Sequence, residues 1–114
     1  MNSQQKIIKF QIAYDTVISS GISECFAIPT TIAFEIFKKE ITALQTAYKN
    51  QNLIVRYEIC LTISQRLLSL RKLASSNAFD VKEALSKFSR LLASEMLILT
   101  ELIQQQDYIE KALA

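Results

Sequence analysis

PTTIAFEIFKKEITALQTAYKNQNLIVRYEICLTISQRLLSLRKL, residues 29–73, decides the fold. Its first half places Phe34, Phe37, Ile41, Leu44 and Tyr48 at spacings of 3, 4, 3 and 4. That is the seam of a helix packed on another helix. Pro29 suits the first turn, where a missing N–H costs nothing. Glu35 and Lys39 form an i,i+4 pair on the outer face, worth a few tenths of a kcal/mol. Asn50-Gln51-Asn52 reads as a polar hinge, since Asn tolerates turns and caps helices. So short a link sets the flanking helices antiparallel. The second helix runs from about Leu53 to Leu73 and is apolar over more than half its circumference. Such a helix is expected to be the central one, touched on several sides.

Upstream, Ser3 is the expected cap of a first helix. Its stripe is Ile7, Phe10, Tyr14 and Val17, and it ends at Ser20-Gly21, where Gly suits a left-handed stop. Residues 22–28 read as a connector. Downstream, Ser75-Ser76-Asn77 breaks the pattern, and Asp80 with Glu83 has capping-box spacing. A long helix follows, carrying Val81, Leu85, Phe88, Leu92, Met96, Leu99 and Leu102. Asp107 and Glu110 repeat the capping-box spacing after Gln104-Gln105-Gln106. Two readings stand there: a bend into a short final helix, or one straight helix to the end.

The chain has 114 residues, the size of a single domain. Half of them are hydrophobic, yet there is one Gly and one Pro, which selects long helices over a turn-rich sheet protein. The expected fold is therefore an all-α antiparallel four-helix bundle, with a short fifth C-terminal helix as the open alternative. Its predicted core is Phe34, Phe37, Ile41, Leu44, Cys60, Leu67, Leu85, Phe88, Leu92 and Leu99. The greasy surplus calls for a full core, an oligomer or a groove for an apolar partner.

Composition also excludes classes. Net charge is +2 with Lys and Arg scattered, unlike the one-sided footprint of a nucleic-acid binder. The longest apolar run, Leu91 to Leu99, contains Glu95 and is too short to span a bilayer. Lys6, Lys9 and Gln11 interrupt any signal-peptide core, so a cytoplasmic location is expected. Cys25 and Cys60 have no CxxC spacing and read as free thiols, Cys60 buried. With no His, the commonest base and metal ligand is missing. Glu35, Glu58, Glu83, Glu95 and Asp107 form no di-carboxylate metal pattern, and no Gly-rich phosphate loop is present. The expectation is thus no catalytic, metal or cofactor site. Glu95 is expected to turn to water, with a buried recognition carboxylate as the alternative, and Arg56 and Arg66 to stand at the rim for a partner's carboxylate.

Residues 27–112 resemble the FliS family of flagellar export chaperones. That family opens a helix with Pro-x-x-Leu-x-Leu-Met-Leu-Tyr, then an apolar residue four on and an Ala six further. Pro29, Ile32, Phe34, Ile36, Phe37, Ile41 and Ala47 follow that register without a gap. Gln51-Asn52 stands at the family's Gly-Asp corner. Ser64-Gln65-Arg66-Leu67-Leu68 is similar to its Ala-Gln-x-Ile-Ile segment, and Gln106-Asp107 to its Asn-Asp break. Ile28 replaces the usual Ser, and the family's amino-terminal Asn-Pro-Tyr element is missing. The resemblance implies a cytosolic, non-enzymatic chaperone that wraps the carboxy-terminal segment of an exported filament protein such as flagellin. The candidate partner-binding residues are Ile7, Phe10, Tyr14 and Tyr57. The stripe of residues 1–21 reads first as ordinary core packing, with a mobile cover over the client groove as the alternative. The alternative is a self-associating structural or regulatory adaptor whose greasy face is consumed in a homodimer.

Overall fold

The computed structural model describes residues 2–50 and 53–113, and of residues 30, 33, 34 and 50 only the backbone. The corner at Gln51-Asn52 and the core assignment of Phe34 fall outside the described residues. The protein is an all-α bundle, with no strand among the described residues. Its helices are α1 (Ser3–Ser19), α2 (Ile22–Cys25), α3 (Thr30–Asn50), α4 (Leu53–Leu73) and α5 (Phe79–Leu113).

Local chemistry sets the ends. Asn2, not Ser3, caps α1: its side chain accepts from the Gln5 N–H at 2.9 Å. Gln5 returns the bond by accepting from the Asn2 N–H at 3.1 Å. Two orphan donors are satisfied reciprocally by this box. Gly21 sits at φ 97°, the conformation a side chain resists, and it turns the chain into α2. The expected connector is therefore partly helical, and α2 buries Ile22 and Ser23. Asp80 is not a cap either. Helix α5 already begins at Phe79, so Asp80 lies in its first turn, where the helix dipole favours its charge.

The fifth helix of this bundle is α2, not a short piece at the C-terminus. Gln104-Gln105-Gln106-Asp107 continues α5 without a break. These residues include no helix breaker, and Lys111 pairs with Asp107 at 3.1 Å across one turn. At 35 residues and roughly 1.5 Å per residue, α5 runs the length of a molecule 55 Å long and 24 × 20 Å across.

The core is assembled from four helices. Phe37, Ile41, Leu44, Cys60, Leu67, Leu85, Phe88, Leu92 and Leu99 are buried, as their spacing requires. Helix α1 contributes Phe10, Tyr14 and Val17 to the same cluster. Phe10 packs on Tyr48 with ring centroids 5.5 Å apart, and Tyr14 on Phe37 at 6.3 Å. Gln45 Nε2 donates to Gln11 Oε1 at 3.1 Å. Residues rising in number along α1 thus meet residues falling in number along α3.

Helix α4 packs against α3 and α5, and α5 against α1 and α4, the α4–α5 interface being the most extensive among the described residues. Helix α4 buries only Arg56, Cys60, Ile63, Ser64 and Leu67. Ile54, Leu61, Leu68 and Leu73 face outward, because its two principal neighbours cover less than its apolar arc.

Candidate functional site

Two features stand out: a charged cluster inside the bundle, and an apolar row outside it. The cluster centres on Glu95. The spacing of α5 places this residue in line with Phe88, Leu92 and Leu99, so it is buried rather than turned to water. Lys6 Nζ of α1 meets Glu95 Oε1 at 2.9 Å. An unpaired carboxylate at this depth would be costly, and the ion pair is the compensation.

Arg56 is likewise internal, not a rim charge. Its guanidinium lies over the Tyr48 ring, 4.4 Å from the centroid. Nη2 donates to the Tyr48 carbonyl at 3.0 Å, and Nε to the Ala47 carbonyl at 3.4 Å. These carbonyls lie in the last turn of α3, where helix carbonyls run short of intrahelical donors. A cation there satisfies them and complements the helix dipole. Arg66 also stays within the chain, paired with Glu40. Burial pushes the Glu40 carboxyl up, against the opposing pull of Arg66.

Tyr48 and Cys60 complete the cluster. The Tyr48 hydroxyl finds no partner at hydrogen-bonding geometry among the described residues. Burial, then the neighbouring Glu95 carboxylate, raises its ionisation well above the ordinary tyrosine range. Cys60 is a free thiol, as is Cys25. Burial first, then the Glu95 charge, pushes the Cys60 thiol up to about 12, while Arg56 and Lys6 oppose the shift. A thiol so held stays protonated at neutral pH and is a poor nucleophile. The chemistry available here is that of a fastener. One ion pair ties α1 to α5, and one guanidinium ties α4 to the end of α3.

The outer feature is a row on α4. Ile54, Leu61 and Leu68 recur every seven residues and are exposed, with exposed Val55 beside the first. Tyr57, three residues after Ile54 and four before Leu61, borders the row and is half-buried against the core.

The other expected partner-binding residues lie elsewhere. Phe10 and Tyr14 are fully packed core residues, and Ile7 leans on the core from the same stripe of α1. Sequence reasoning missed the Lys6–Glu95 fastener. A lone Glu within an apolar run was its only signal, and the partner is 89 residues away. Among the described residues, no group of three or more metal-ligating side chains gathers, and no helix is long and apolar enough to cross a membrane.

Compared with known protein families, curated proteins and solved structures, this chain matches none.

Proposed function

We propose that this chain is a binding protein rather than an enzyme, offering a rigid helical face to an amphipathic segment of another protein. The observation that carries this reading is the exposed α4 row of Ile54, Leu61 and Leu68. Apolar side chains at a seven-residue period on a helix already anchored by its other face suit a partner helix laid alongside. Such a row costs solubility unless it is used.

Within that class, the reading is a cytoplasmic secretion chaperone for an export substrate, with the terminal segment of flagellin as the favoured client. Support for the client comes from the family resemblance of residues 27–112. In this role Tyr57 flanks the client. Ile7, Phe10 and Tyr14 take part only if α1 leaves the core, which makes α1 a cover. Hydrogen exchange tests the cover: equal protection of residues 5–18 and of α4 in the free protein would rule it out.

The client is tested by capture of a purified filament-protein terminal segment. Leu61→Glu and Leu68→Glu should abolish capture while leaving helicity and melting unchanged, since both side chains already face water. Undiminished capture by both variants would refute the α4 face. A second reading, a self-associating adaptor, is favoured by a different observation, the uncovered end of α5.

A further inference from the structure

Helix α5 carries one uninterrupted seam. From Val81 to Leu113 the residues on one stripe of α5 recur at alternating spacings of 4 and 3. This is a heptad pattern five repeats long. The first six seam positions, through Leu99, are buried by the bundle. The last four are Leu102, Gln106, Ile109 and Leu113, and they are exposed, the three apolar ones at 39, 56 and 83 %. Among the described residues, burial of the seam ends at Leu99 while its spacing continues.

We propose that a second copy of this chain covers the seam, its own α5 end lying antiparallel across residues 102–113. Continuity with the α5 interface already formed is the first argument. The second is self-complementarity. In an antiparallel pair Leu102 of each copy meets Leu113 of the other, and Gln106 meets Ile109, so both copies use one patch, as a two-fold interface requires. Third is charge. Glu101, Asp107 and Lys111 lie off the seam, and Glu110, the one flanking charge, faces the other copy's Ile103 rather than its own equivalent. Fourth is direction. Beside Leu99 the seam is filled by the chain's own helices, so a parallel partner would bring its bundle into collision with this one.

The interface is small. About a dozen residues a side is roughly half what a standard stable interface uses, so association is weak and concentration-dependent. Gln106, the polar residue among the four exposed seam positions, weakens it further and favours one register. The association needs no client and is separate from the α4 row.

Sedimentation of the full chain over a concentration series tests this. The wild type should shift from monomer toward dimer as concentration approaches the millimolar range, and Ile109→Glu should stay monomeric. Gln106→Leu should tighten the dimer by about tenfold or more. Leu97→Glu, an exposed change on the opposite face of α5, should sediment as the wild type does. A wild type that stays monomeric, an Ile109→Glu variant that still dimerises, a Gln106→Leu variant no tighter, or a Leu97→Glu variant that does not dimerise overturns the proposal. None of these outcomes bears on client capture by α4, which is read separately.

Discussion

Replacing Lys6 with Met removes the cation that faces Glu95 and keeps the length and most of the apolar stem. In the wild type the pair is 2.9 Å apart, and the two side chains are 16 and 6 % exposed. Glu95 has little water to fall back on, and its neighbours Tyr48 and Cys60 carry no positive charge. Removing one partner of a buried pair typically costs about 3–5 kcal/mol, so a loss of that order is expected. Urea unfolding followed by circular dichroism at neutral pH measures it. The double variant Lys6→Met/Glu95→Leu should recover most of the loss at neutral pH, since an apolar pair of similar volume needs no desolvation. A loss below about 1 kcal/mol at neutral pH would refute the account of Glu95 as a buried, paired charge.

Two further outcomes follow from the packing. Phe10→Ala should cost about 3–5 kcal/mol, because the ring is fully buried against Tyr48, whereas Ile12→Ala on the exposed face of α1 should change stability by under about 0.5 kcal/mol; thermal or urea unfolding of the pair checks the orientation of α1. At alkaline pH the thiol of Cys60 is held protonated in the fold up to about 12, against an ordinary 9.0. Its contribution is thus complete below about pH 9 and lost as pH rises toward 12, a difference of up to about 4 kcal/mol that Cys60→Val should lack when the two stability profiles are compared.

Helix positions and their inner faces were legible in the chain because both depend on residues only a few places apart. The spacing of Phe37, Ile41, Leu44 and Tyr48, and of Leu85, Phe88, Leu92 and Leu99, names buried side chains before any neighbour is known, though not Glu95 on the same stripe. Gly21 and Ser75-Ser76-Asn77 likewise mark real breaks, since turn chemistry is local. The caps were read one or two residues off. Asn2 and Ser3 are both competent caps, and only the path of the incoming backbone chooses between them. Gln106-Asp107 has the residues of a break but also those of a helix, and it remains helical.

The sequence by itself therefore determined an all-α fold, the approximate positions of four long helices and most of the inward-facing residues of α1, α3 and α5, since these rest on short-range periodicity and propensity. Only the tertiary structure decided that α5 runs unbroken along the molecule, that Glu95 is buried with Lys6, that Arg56 closes the end of α3, and that the α4 row and the end of α5 are exposed. The last three depend on which helix lies beside which. That choice is a matter of long-range packing, with partners up to 89 residues apart, and no local pattern encodes it.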